Sequence, residues 1–143
     1  MGVTIDSKNK SIDLGYFGFF RLRRKVAELL DEDVGIHYDE LSKSHFFDDK
    51  KKEEKYWKKY DEITEFLVER TPKNRRKVFS FLYESDCEGS VTYGTCKQIL
   101  ETIGDYDDDV KYGYAGRPDC ATFRDFKELL QDCVDTKTKM TWF

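Results

Sequence analysis

Histidine is scarce in this chain of 143 residues, and long apolar runs are missing. Only His37 and His45 are present, which excludes a histidine-rich metal site. No apolar run approaches the roughly 18–20 residues that a membrane-spanning helix needs, so we expect no association with a membrane. The N-terminus has no basic region followed by an apolar one, which is the pattern of a secretory signal. The sequence therefore predicts a cytoplasmic protein.

Sequence signatures of catalysis are also missing. The chain contains no G-x-S-x-G, no H-E-x-x-H and no Walker lysine. Its four cysteines form no C-x-x-C pair, which disfavours a zinc ribbon and a thioredoxin-like redox site. Cys96 and Cys133 fall on apolar helical stripes, so we expect them to be buried, reduced thiols. These absences favour a protein that is not an enzyme and that holds no cofactor.

Aromatic residues, by contrast, make up 15% of the chain. Because each aromatic side chain can bury about 150–250 Å², the chain can form a sizeable core, and we expect most of its aromatic residues to lie there. Tyr16 and Tyr114 are the expected exceptions, since both stand in glycine-containing segments. No Pro-rich or Gly/Ser-rich linker divides the chain, and its length suits one domain. We therefore predict a single domain over 1–143.

Hydrophobic periodicity predicts an α+β fold that is mostly α. Apolar residues recur at helical spacing in five or six segments. These predicted helices cover residues 17–31, 33–43, about 49–70, 73–83, 93–103 and 123–134. Alternating apolar and polar residues over 3–6 and 11–14 predict a β-hairpin, to which 139–143 could add a third strand. We therefore expect five to six helices and a small antiparallel sheet of two or three strands.

The longest predicted helix carries an apolar stripe and a charged face. The stripe consists of Tyr56, Trp57, Tyr60, Ile63, Phe66 and Leu67. The other face mixes lysines with acidic residues, and we expect it to be solvated rather than a binding patch.

The net charge of −4 is distributed unevenly along the chain. Residues 1–83 hold 18 basic and 16 acidic residues, whereas 84–135 hold 5 basic and 13 acidic ones. The acidic part includes a run formed by Asp105, Asp107, Asp108 and Asp109. An acidic face orients a basic protein partner and disfavours nucleic acid. We predict that these four carboxylates contact a protein partner; the alternative is a solvated loop.

The segment 84–95 is similar to a degenerate EF-hand loop. Its candidate metal ligands, at the first, third and fifth positions, are Glu84, Asp86 and Glu88. The sixth position is a glycine, as the sharp turn of a calcium loop requires. The twelfth position should be a bidentate glutamate, and Thr95 there removes two of the oxygens that calcium needs. A helix-loop-helix region over 84–134 could survive without the metal. The alternative is a capped turn, in which Gly89 ends one turn and Ser90 or Thr92 starts the next helix.

Two glycine-containing segments, 15–18 and 113–119, are candidates for binding a small anionic ligand. The candidate ligand-binding residues are Tyr16, Arg21, Tyr114 and Arg117. Glycine-rich turns at the start of a helix can offer free N–H groups to an anion. Tight turns in which the tyrosines pack are the alternative interpretation.

Several segments resemble those of a family of small proteins without assigned activity. They are 5–9, 15–16, 85–97, 105–108, 112–114 and Gly116-Arg117-Pro118-Asp119-Cys120. The family belongs to gut-dwelling Gram-positive bacteria and their phages or mobile elements. The resemblance implies a bacterial or phage origin, covers most of the chain and carries over no functional residues.

Three functions are consistent with these observations. The first is a small acidic binding protein that docks a macromolecular partner, as an immunity or anti-defence inhibitor does. The second is a domain that senses a small ligand or a divalent metal through 84–95 or 113–119. The third is a cysteine-dependent enzyme that pairs a thiol with one of the two histidines.

Overall fold

The computed structural model describes residues 2–43, 45–85, 87–106, 110 and 121–143. Its helices are α1 (Tyr16–Leu30), α2 (Glu32–Asp39), α3 (Lys50–Arg70), α4 (Val78–Tyr83), α5 (Tyr93–Ile103) and α6 (Phe123–Thr136). Its strands are β1 (Gly2–Asp6), β2 (Ser11–Gly15), β3 (Gly89–Val91) and β4 (Met140–Trp142). A short 3₁₀ helix, Glu40–Ser42, follows α2. The predicted α+β class, mostly α, is confirmed.

The strands form one antiparallel sheet in the order β2-β1-β4-β3. The predicted hairpin is present, with Val3 opposite Leu14 and Ile5 opposite Ile12. The C-terminal strand β4 pairs with β1, as predicted. The sheet has four strands rather than two or three, because β3 pairs with the far edge of β4. A three-residue strand is too short to show the alternation by which strands are predicted.

The hairpin is fixed to the body of the protein by α6. A lone hairpin is marginal in water, so it needs such a support. Asp132 on α6 accepts hydrogen bonds from Ser7 Oγ at 2.6 Å and from the backbone N of Asn9 at 2.7 Å. The Asn9 side-chain amide donates to its second oxygen at 2.9 Å. These bonds hold the β1–β2 turn against the helix.

Local chemistry sets the ends of most helices. The Asp49 side chain accepts from the backbone N of Lys52 at 2.8 Å and caps α3. The helix predicted over 73–83 instead begins at Val78, since the preceding residues form turns. In those turns the Arg76 side chain donates to the carbonyl oxygens of Val68 and Thr71, at 3.0 and 2.8 Å. Arg76 therefore donates to carbonyl groups at the end of α3, where few backbone N–H donors remain.

Three aromatic rings form the centre of the core. Phe81 lies edge-on to both Phe19 and Trp142, with ring centroids 6.0 and 5.8 Å apart. The guanidinium of Arg23 lies over the Phe19 ring, 4.3 Å from its centroid. Arg23 Nη2 and Trp142 Nε1 both donate to the carbonyl oxygen of Ser85, at 3.2 and 2.7 Å. This shared acceptor joins α1 to the last strand.

The expectation that most aromatic residues lie in the core is correct for some and wrong for others. Among the residues that the structure describes, the exposed aromatic residues are Tyr16, Phe17, Phe46, Phe66, Tyr93 and Phe143. Tyr16 was one of the two expected exceptions, and the other, at position 114, lies outside the described residues. The other five are corrections. Phe66 belongs to the stripe of α3, which means that this stripe is only partly covered.

Candidate functional site

A wide groove of about 560 Å³ lies between α2 and α3. From α2 it is lined by Asp33, Ile36, His37 and Glu40. From α3 it is lined by Tyr56, Lys59, Tyr60, Ile63, Phe66, Leu67 and Arg70. The helices are antiparallel, because Asp33 contacts Arg70 at one end and Glu40 contacts Tyr56 at the other.

The walls of the groove are apolar and exposed because α3 is thinly packed. Only Tyr60 and Leu67 of its 21 residues are buried. Ile63 and Phe66 on the same stripe are 40% and 60% exposed, and Ile36 on α2 is 63% exposed. Helices in proteins are stabilised mostly by packing of their apolar face. An apolar face left in water on a long helix therefore marks a surface that another group can cover.

The floor of the groove is an uncharged, hydrogen-bonded histidine. The His37 ring stacks on Tyr60 with centroids 3.9 Å apart, and its Nε2 lies 2.7 Å from Thr64 Oγ1. The Tyr60 hydroxyl donates to the His37 carbonyl oxygen at 3.0 Å. Burial lowers the pKa of His37, so the ring is neutral at neutral pH. A neutral side chain at the floor of the groove favours an apolar occupant over a charged one.

The pair His37–Thr64 does not have the arrangement of a base and its nucleophile. The Thr64 hydroxyl donates its proton to the Tyr60 carbonyl oxygen at 3.0 Å. A hydroxyl that donates to Tyr60 has no proton left to give to His37 Nε2, whereas general-base catalysis requires that transfer. This arrangement holds the imidazole in place.

The two ends of the groove are polar. At one end Arg70 bridges Asp31 and Asp33, with N–O distances of 3.0 Å to each. At the other end Glu40 accepts from Tyr56 at 3.2 Å and from Lys43 at 3.1 Å. The hydrogen bond from Lys43 lowers the pKa of Glu40. The groove is thus an apolar channel closed at each end by exposed polar pairs.

No protein-family model matches the chain, and no similar protein was found among curated proteins or among solved structures. Any functional inference must therefore come from the groove and from the charges around it.

The candidate ligand-binding residues are only partly described by the structure. Tyr16 begins α1 and lines a pocket of about 250 Å³ together with Arg23 and Tyr38. Arg21 is exposed on the same helix and does not line that pocket. The other two candidates, at positions 114 and 117, lie outside the described residues. An anion site that uses all four stays a prediction.

The acidic run and the EF-hand-like loop are described only in part as well. Asp105 follows α5 and is exposed, whereas positions 107–109 lie outside the described residues. Glu84 and Glu88 are exposed, and position 86 lies outside the described residues. Among the residues that the structure describes, no three His, Cys, Asp or Glu side chains are grouped to hold a metal ion. The end of the EF-hand-like segment forms β3, and Thr92 caps α5.

The thiols predicted to be buried are buried. Cys96 on α5 and Cys133 on α6 are both inaccessible and free. A hydrogen bond with the Cys133 thiol and burial both raise the pKa of Cys96. Cys96 is therefore a protonated thiol near neutral pH and a poor nucleophile. Cys87 is exposed, and the fourth cysteine lies outside the described residues.

The groove could not be recognised from the stripe on α3 alone. That stripe was predicted, but Ile36 of α2 was not singled out. The signal that was available is Ile36 itself, an apolar residue in the short predicted helix that precedes the third.

We expect the free energy of unfolding to fall as the pH drops below about 6.5, in part because of His37. The unfolded chain binds the proton near the ordinary histidine pKa, whereas the folded chain binds it only at lower pH. The unfolded state therefore holds more protons in that window, which reduces stability there. Urea unfolding of wild type and His37→Gln, above and below this pH, measures the difference.

His45→Gln is the matched control, since it removes the chain's other histidine. The loss of stability between the two pH values should be smaller in His37→Gln than in wild type or His45→Gln. An unchanged pH dependence in His37→Gln would show that His37 is protonated alike in the folded and unfolded chains.

Proposed function

We propose that this protein is a non-catalytic binding protein whose α2–α3 groove receives a helical segment of a protein partner. The observation that carries this proposal is the exposure of Ile36, Ile63 and Phe66 along one channel. Contiguous exposed apolar surface is typical of interaction sites. An immunity or anti-defence inhibitor acts by covering a surface of its partner, and this requires no catalysis.

The dimensions of the groove favour a helix as occupant. Its α3 wall runs from Tyr56 to Arg70, which is about 21 Å at 1.5 Å per residue. An amphipathic helix of about four turns has this length and presents apolar residues at i, i+3, i+4 and i+7. A third helix that lies over the groove between two antiparallel helices can pack against both, at the usual interaxial distance of about 8–10 Å.

The openness of the walls argues against a small apolar ligand. Pockets for small molecules enclose about 70–90% of the ligand surface. Here Ile36 and Phe66 are more than half exposed, so the channel is open along its length. A protein segment, which needs to bury only one face, suits such a channel better.

Selection of displayed amphipathic peptides against the wild-type protein tests the proposal. We expect the selected peptides to share apolar residues at i, i+3, i+4 and i+7. Phe66→Asp should weaken their binding by at least about tenfold, because it puts a charge into the apolar contact. Fluorescence anisotropy of a labelled peptide gives the affinities.

Phe17→Asp is the matched control, because Phe17 is 87% exposed and lies on α1, outside the groove. It should leave peptide binding unchanged, and circular dichroism should show both variants folded. Peptides without the spacing, or equal binding by Phe66→Asp and wild type, would contradict the proposal.

A further inference from the structure

The two halves of α3 carry opposite charge. Residues 50–59 contain six lysines and two glutamates, whereas 61–70 contain four acidic residues and one arginine. Two copies of such a helix placed antiparallel bring each basic half against the acidic half of the other. A surface with this property is complementary to itself about a two-fold axis.

We infer that the occupant of the groove is α3 of a second copy of the chain, so that the protein forms a symmetric dimer. This inference rests on the proposed function of the groove and names its partner. The contact is isologous, since the same surface of each copy faces the other.

One edge of α3 carries the charges that such a contact would use. We call it the α3 edge; it comprises Lys52, Lys55, Lys59, Glu62, Phe66 and Glu69. Successive members are three or four residues apart, so they lie on one face of the helix. All six are exposed, and Lys59 and Phe66 also line the groove. The α3 edge is therefore continuous with the apolar channel.

When two copies of the α3 edge run antiparallel, each residue of one copy lies opposite a compatible residue of the other. A two-fold axis at the middle of α3, between positions 60 and 61, places Lys59 opposite Glu62 of the other copy. The same axis places Lys52 opposite Glu69, and Lys55 opposite Phe66. A lysine stem packs well on an aromatic ring while its ammonium interacts with the ring face. Every position on the α3 edge thus meets a compatible side chain.

Most of these charges are not used within one copy. In the part of the chain that the structure describes, Lys55, Lys59, Glu62 and Glu69 form no salt bridge. Lys52 contacts Asp48, and both of these side chains are more than 60% exposed. The charges remain available to a second copy, and Ile63 and Ile36 supply apolar area beside them.

Charge reversal tests the dimer directly. Sedimentation equilibrium of the wild-type chain over a range of micromolar concentrations should show a reversible dimer. Lys52→Glu/Lys59→Glu and, separately, Glu62→Lys/Glu69→Lys should each weaken self-association by at least about tenfold, since like charges then face each other. An equimolar mixture of the two variants should restore the dimer. In the mixed dimer the residues at 52 and 69, and those at 59 and 62, again face each other with opposite charges.

Glu54→Lys/Asp61→Lys is the control, because it makes the charge change of Glu62→Lys/Glu69→Lys at two exposed residues of α3 that are not three or four positions from any member of the α3 edge. It should dimerise like wild type. A wild-type chain that stays monomeric would overturn the dimer, as would a dimer that both reversals leave intact or a mixture that fails to restore it. The Glu62→Lys/Glu69→Lys variant changes no residue that lines the groove, so its binding of selected peptides reports on the proposed function separately.

Discussion

Replacement of Trp142 by alanine is expected to lower the free energy of unfolding by about 3–5 kcal/mol, as truncation of large buried aromatic residues does. Trp142 is 1% exposed and lies on β4, the strand between β1 and β3. Its ring is 5.7 Å from that of Phe19 and 5.8 Å from that of Phe81, measured between centroids. The variant would lose these contacts and leave a cavity. Urea unfolding followed by far-ultraviolet circular dichroism measures the change.

The adjacent residue supplies a matched control. Phe143 is 60% exposed, although its backbone pairs with Thr4 on β1 in both directions, at 2.9 and 3.0 Å. Phe143→Ala keeps those backbone bonds and should change stability by less than about 0.5 kcal/mol. Similar losses for the two variants would contradict the placement of β4 with Trp142 inward and Phe143 outward.

The parts of the fold that could be predicted are those set by neighbours in the sequence. The end of α3 follows from Thr71 and Pro72, because a proline disfavours helical backbone at the residue before it. The start of α3 follows from the capping preference of Asp49. The hairpin follows from alternation over a few residues on each side of a polar turn. None of these features needs knowledge of distant contacts.

The parts that could not be predicted depend on distant contacts. The strand β3 exists because Gly89–Val91 meets Met140–Trp142, about 50 residues later in the chain. Ile63 and Leu67 occupy equivalent places on one stripe, yet Leu67 is buried and Ile63 is exposed. Their difference arises from which side of α3 the other elements pack against, which periodicity on α3 alone cannot reveal. The groove was missed for the same reason.

The groove itself depends on how closely α2 approaches α1, and Gly35 sets that distance. A Cβ atom at Gly35 would lie 2.6 Å from Glu28 Cγ and 2.9 Å from Glu28 Cα on α1. The second contact is with backbone, so rotation of a side chain cannot relieve it. We expect Gly35→Ala to destabilise the protein by about 1–3 kcal/mol. This is opposite in sign to the gain of about 1 kcal/mol that alanine brings in an unobstructed helix.

The same change should also weaken peptide binding in the groove, because a displaced α2 changes the positions of Ile36 and His37 relative to α3. Gly94→Ala on α5 is the matched control. Its added Cβ would meet the terminal Lys77 Nζ at 3.3 Å and Thr92 Oγ1 at 3.7 Å, and neither of these contacts is with the backbone of another element. We expect Gly94→Ala to be neutral or mildly stabilising and to leave binding unchanged. Chemical unfolding and peptide anisotropy of both variants decide between these outcomes: a stabilised Gly35→Ala would mean that α1 and α2 are not in close contact at this point.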